Sequence, residues 1–91
     1  MHYLLIHQIQ QYPSTQDAWI DTWKGVRKRC STETRWLHSF LDTSNGKLYC
    51  EWEASDLDSV MACLDAESLE MAPLEYHAEI VYFDTAWLDE A

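Results

Sequence analysis

Basic residues are scarce in this chain of 91 residues: six Lys and Arg stand against sixteen Asp and Glu, for a formal net charge of −10. Nucleic acid and anionic membrane both recruit Lys and Arg, so this balance argues against either as a partner and favours a cation. The shortage is uneven. Residues 1–50 carry six basic and four acidic groups, whereas residues 51–91 carry twelve acidic groups and none that is basic. That asymmetry suits a solvated acidic surface, and it also gives a means of biasing how two copies orient. Paired cysteines are lacking too: three Cys, an odd number without paired spacing, do not describe a disulfide framework. The opening MHYLLIHQIQ is too short and too polar for a signal segment. A cytoplasmic protein with free thiols is the expectation.

What is abundant is aromatic. Five Trp, five Tyr and two Phe are many large side chains for one small domain, and aromatics concentrate at interfaces and in pockets. A chain of this size buries only about 60–65% of the surface that its unfolded form exposes. Homodimerisation is the expected remedy.

The order of elements is legible from periodicity. HYLLIHQIQ alternates as a strand, with Tyr3, Leu5, His7 and Ile9 on one face and Leu4 and Ile6 on the other. After Pro13, Ser14 and Asp17 form a cap pattern, and Trp19, Trp23, Val26 and Cys30 mark one stripe of a helix over about 14–29. Acidic residues lead that helix and Lys24, Arg27, Lys28 and Arg29 end it, the order its dipole favours. Residues 34–42 and 47–54 read as two strands joined by a tight turn. Ser55 and Asp58 then cap a second helix, marked by Leu57, Val60, Met61 and Leu64 and stopped by Pro73. A last strand covers 75–84, completing a domain over 1–84, and 85–91 form a short tail. Strand, helix, strand, strand, helix, strand is the ferredoxin-like, split βαβ arrangement of the α+β class, a four-stranded antiparallel sheet with both helices on one face. The other face needs cover, and pairing two sheets face to face would make a dimeric α+β barrel.

Chemistry concentrates in WLHSFLDTSNGKLYC, residues 36–50. Its Asn-Gly pair admits a two-residue type I′ turn at Asn45 and Gly46, or a three-residue loop of Ser44, Asn45 and Gly46 with Gly46 left-handed. The longer loop pairs Thr43 with Lys47 and puts His38 and Cys50 on one face as diagonal neighbours, roughly 7 Å apart at the backbone and within joint reach of one ion. The shorter turn separates them onto opposite faces. Imidazole and thiolate together suit nickel, copper or zinc rather than calcium or magnesium, and two ligands leave the set incomplete. His7, on a strand expected beside the third, and Glu53 are the supporting candidates. His77, His2 and Cys63 are weaker ones, and Cys30 belongs to the helix stripe as a structural residue. The competing reading of the same face is a core or a dimer interface.

The stretch RWLHSFLDTSNGKLYCEWEAS resembles the core motif of a family of small bacterial ferredoxin-like proteins, long catalogued as a domain of unknown function and including nickel-binding members. Trp36, Leu37, His38, Ser39 and Phe40 match that motif, as do Gly46, Tyr49, Cys50, Glu53 and Ala54, and His7 is similar to a first-strand histidine of some members. About 25 residues are matched closely. AESLEMAPLEYHAEI keeps only the proline region of the family's entry to the last strand, and TAWLDEA lies outside the motif. The resemblance implies the fold, a homodimer and, as a metal cofactor, nickel or another divalent transition ion; no organic cofactor is implied. Two other functions stay open. One is a monooxygenase- or isomerase-like barrel holding a small apolar ligand in an aromatic pocket, with His7 or His38 as general base. Ser39 alternates to the opposite side of the strand from His38 and cannot pair with it in a nucleophilic dyad. The other is a catalytically silent interaction or sensor module.

Overall fold

A computed structural model describes residues 1–12 and 14–89; Pro13, Glu90 and Ala91, and with them the end of the expected tail, lie outside the described residues. Strand β1 (His2–Gln8) is followed by helix α1 (Gln16–Arg29), strands β2 (Arg35–Asp42) and β3 (Lys47–Glu53), helices α2 (Leu57–Met61) and α3 (Ala66–Met71), and strand β4 (Leu74–Ile80). The strands form one antiparallel sheet in the order β2-β3-β1-β4. This is the ferredoxin-like arrangement expected of the sequence.

Period-2 patterning builds the sheet. Burial alternates along β1 and β3, so that Tyr3, Leu5 and His7 and then Leu48, Cys50 and Trp52 are all turned inward. From α1 that face receives Trp23 and Val26. Trp19, Trp23, Trp36 and Trp52 run in a chain of ring contacts, edge to face at 5.6 and 5.8 Å and then stacked at 5.5 Å with an interplanar angle of 9°. Two buried indoles, Trp23 and Trp52, join the aliphatic residues that fill this core.

The helix ends differ from the expected caps by one residue. Thr15, not Ser14, accepts from the N–H of Ala18 at 3.1 Å, and Asp56, not Ser55, accepts from Ser59 at 2.8 Å. The single second helix expected before Pro73 is two short ones. Asp65 starts a new helix through a reciprocal capping box: its carboxylate accepts from the Ser68 N–H at 2.9 Å while Ser68 Oγ accepts from the Asp65 N–H at 3.1 Å. Between the two helices, Cys63 and Leu64 drop into the core. Arg29 ties the end of α1 to this break, donating from Nε to the Cys63 carbonyl at 2.9 Å and pairing with Asp65 at 3.2 Å.

The last strand stops at Ile80 rather than Asp84 because its partner runs out: Ile80 pairs with His2, the first residue of β1. Beyond it Asp84 caps a 3-10 turn over Thr85–Asp89, accepting from the Ala86 N–H at 2.8 Å. Val81, Phe83, Trp87 and Leu88 in this segment are exposed.

Candidate functional site

The hairpin adopts neither expected turn. Asp42 pairs with Lys47 across a four-residue loop, Thr43–Gly46. Asp42 causes this: its carboxylate accepts from the N–H groups of Ser44 at 3.1 Å and Asn45 at 3.3 Å and from the Asn45 side chain at 2.8 Å. These bonds hold its carboxyl below the usual range and wind the loop into an Asx turn. Gly46 closes the loop with φ of 66°, in the left-handed region where a side chain is strained. The extra loop residue sets the phase of β2 against β3.

His38 therefore lies opposite Glu51, and Ser39 opposite Cys50. The expectation that His38 and Cys50 share a face is corrected, since adjacent residues of a strand point to opposite sides. A second irregularity completes the pattern: Leu37 is bulged out between the Trp36–Trp52 and His38–Glu51 pairs, so that Trp36 remains in the core.

On the face covered by the helices, Cys50 is 1% exposed. Trp36 Nε1 donates to Ser39 Oγ at 2.8 Å, and Ser39 Oγ donates to Cys50 Sγ at 3.1 Å. Burial pushes the Cys50 thiol up to about 11, the Ser39 bond opposing in part. His7 shares this face one cross-strand row away, opposite Leu48, and its Nδ1 lies 2.9 Å from the carbonyl of Ala72. As a carbonyl only accepts, the proton is on Nδ1, and the buried Nε2 has no hydrogen-bond partner. Burial lowers the His7 pKa, against the Ala72 bond, and keeps the ring neutral. Both are core residues.

On the open face four rows of side chains cross the sheet. Arg35, Glu53, His2 and Ile80 make the first, and His38, Glu51, Leu4 and Ala78 the second. Phe40, Tyr49, Ile6 and Tyr76 form the third, an apolar band spanning all four strands. Lys47 lies beyond it beside Glu75, with which it forms an ion pair. His38 Nε2 is 3.2 Å from Glu51 Oε1, and Phe40 sits edge-on to its ring at 5.3 Å. Glu53 takes His2 at 3.4 Å and Arg35 at 3.3 Å. Tyr82, from the segment after β4, stacks on His2 at 5.6 Å and donates to Asp84 at 3.0 Å.

Of the expected ligands, then, His7 and Cys50 stand on the covered face and His38 and Glu53 on the open one. His77 is on the covered side but exposed at the edge strand, and Cys63 is buried near α2. Among the described residues, no group of three or more His, Cys, Asp or Glu is placed to hold a metal ion. What the open face does offer is an imidazole nitrogen and a carboxylate oxygen side by side, His38 Nε2 and Glu51 Oε1, 3.2 Å apart and both partly exposed. Glu51 and Tyr82 were not singled out in the sequence. The hairpin register was the signal for Glu51, because it lies two residues before Glu53 on the same face of β3.

A groove of about 580 Å³ runs between α1 and α3, with Asp21, Thr22, Arg29, Asp65, Glu67 and Glu70 among its lining residues. It is polar and lies away from the sheet's open face. No helix among the described residues is long and apolar enough to cross a membrane.

No family model matches the chain, and no curated protein matches it in sequence. Among solved structures it is similar to SCO4226 from Streptomyces coelicolor A3(2), with a TM-score of 0.66 and 14% identity over 92% of this chain and 100% of that one. At that identity the likeness shows the fold alone.

Proposed function

We propose that the chain works as a homodimer through the open face of its sheet and that the enclosed His38–Glu51 pair is its ligand-binding element. The observation that carries this reading is the apolar band Phe40, Tyr49, Ile6 and Tyr76 lying uncovered beside that pair, with Phe40 62% and Tyr76 54% exposed. Contiguous exposed apolar surface of this kind marks an association site. A second copy is the occupant that fits, because a two-fold pairing sets the band of one copy against that of the other and buries it from both sides. Arg35 and Lys47 stand at the margins of this face, each paired within its own chain, with Glu53 and Glu75, so that no charge intrudes on the apolar band.

The ligand is a divalent transition ion, nickel first among the candidates. Each copy contributes an imidazole nitrogen and a carboxylate, and two copies make the four nitrogen and oxygen donors that such ions accept. Cys50 takes no part, being buried on the other side of the sheet. A second reading rests on the nearness of the band to His38: a small apolar molecule lies against Phe40 and Tyr76 between the two sheets, with His38 Nδ1 as base. The three free thiols, Cys30, Cys50 and Cys63, favour a reducing compartment such as the cytoplasm.

Sedimentation and calorimetric titration with nickel and zinc test the reading together. The wild-type chain sediments as a dimer and Phe40→Glu as a monomer. Micromolar nickel binding, one ion per dimer, is lost in His38→Ala and kept in Cys50→Ala. A monomeric wild type overturns the dimer; binding that survives His38→Ala, or vanishes only with Cys50, overturns the site.

A further inference from the structure

The segment after β4 is ordered by its own bonds yet adds no side chain to the core. Asp84 organises it: its carboxylate accepts from the Ala86 N–H at 2.8 Å and from the Tyr82 hydroxyl at 3.0 Å, and its carbonyl accepts from the Trp87 N–H at 3.0 Å. Trp87 is thereby set edge-on to Tyr82 at 5.6 Å and to Phe83 at 6.2 Å, while Tyr82 stacks on His2. The apolar side chains are left outside. Val81 is 93% exposed, Leu88 67%, Phe83 60% and Trp87 54%. Exposed hydrophobics scattered singly are ordinary, but four within the eight residues 81–88, on a turn with its own cap, make one preshaped patch.

We propose that this arm, residues 81–89, docks on a second copy of the chain and flanks the sheet-to-sheet contact of the preceding section, on which the inference rests. Area is the argument. The apolar band of the open face exposes only roughly 300 Å², with its rings taken at about 150–250 Å² each when fully bare. A standard interface hides about 800 Å² per partner, and in a homodimer roughly 500 Å² of that is apolar. The band alone falls short. Phe83 and Trp87 add on the order of 200 Å², and Val81 and Leu88, both more exposed than either ring, bring the total to what a stable dimer needs. Position suits the same occupant, because Tyr82 lies on His2 in the first row of the open face, so the patch adjoins that face instead of standing apart from it. A two-fold pairing carries the arm of each copy to the other, and the shortfall is met on both sides at once.

The test is sedimentation equilibrium of the full-length chain as wild type, as Phe40→Glu and as a triple variant, Phe83→Ser with Trp87→Ser and Leu88→Ser, each checked for folding by circular dichroism. The wild type is a dimer, and the triple variant stays folded while its dimer dissociation constant rises by about thirtyfold or more. In a wild-type dimer of one isotope-labelled and one unlabelled copy, filtered nuclear Overhauser spectra show Trp87 and Leu88 of one copy in contact with the other. A monomeric wild type overturns both the open-face dimer and the arm. A triple variant that dimerises as tightly as the wild type, or filtered spectra without contacts from the arm, overturns the arm alone, and the open-face dimer then stands where Phe40→Glu dissociates. Dissociation of the triple variant with none in Phe40→Glu supports the arm and overturns the open-face contact. The filtered spectra of the wild type decide the matter even where the triple variant fails to fold.

Discussion

The two faces of strand β3 carry alternate residues of a single seven-residue segment, Lys47–Glu53, and they do opposite work. Leu48, Cys50 and Trp52 are buried under the helices, whereas Tyr49, Glu51 and Glu53 remain on the open side. The covered face pairs some of its polar atoms internally, through the Trp36–Ser39–Cys50 relay and the His7–Ala72 bond, and leaves His7 Nε2, Trp23 Nε1 and Trp52 Nε1 buried without a partner. Its histidine is neutral and its thiol protonated. The open face pairs imidazole with carboxylate twice, at His38–Glu51 and His2–Glu53, beside an apolar band. The same residue types are therefore inert packing on one side and available chemistry on the other. Burial decides which.

The largest way to break the comparison is to empty the covered face. Trp52→Ala removes a stacked, fully buried indole and should cost about 3–5 kcal/mol in urea unfolding; a cost under about 1 kcal/mol would mean that this face is not the core. On the open side Phe40→Glu should leave the folded chain intact and act on association instead, weakening the proposed dimer by about 2 kcal/mol or more, some thirtyfold, in sedimentation equilibrium. Smaller still is Ser39→Ala, which removes the acceptor of Trp36 and the donor to Cys50 and should cost about 1–2 kcal/mol. Equal destabilisation by Ser39→Ala and His38→Ala would erase the distinction between the faces.

The subtlest difference is one of pH. The folded chain holds His7 below its ordinary value of 6.5 because burial disfavours the imidazolium. On acidification the unfolded chain takes up this proton first. Stability from the neutral ring is full above pH 6.5 and is lost as pH falls from there through the lower folded pKa. Urea midpoints measured downward from neutrality should decline in the wild type, with a shallower decline over the same window in His7→Gln. Identical pH profiles would show that His7 is not buried neutral.

The fold was readable because its signals are redundant: alternation in β1, the Trp stripe of α1 and the stop at Pro73 all agree with one order of elements. The break between α2 and α3 was also written, as Asp65 three residues before Ser68, but Leu64 continues the apolar period across it and masks the boundary. The site was less legible. Asn-Gly points to a short turn, whereas Asp42, three residues before Asn45, winds a longer loop by accepting from its backbone and side chain. One residue of loop length then reverses the face of every residue from His38 to Asp42. Leu37 leaves no sequence mark of its bulge. Its cause is the demand that Trp36 stack on Trp52, a long-range requirement that no local pattern encodes.

That bulge works like a comma in the strand. Without it, residues two apart would be bound to one side, and a chain selected to keep an indole in its interior at position 36 would keep position 38 there as well. With it, the two positions are uncoupled, and the residues after the pause are free to change vocabulary while those before it hold the sentence together. In descendants of such a hairpin, new chemistry on the outer side would then arise less by substitution than by adding or removing one residue at the pause or in the loop, edits that turn a whole run of side chains over at once.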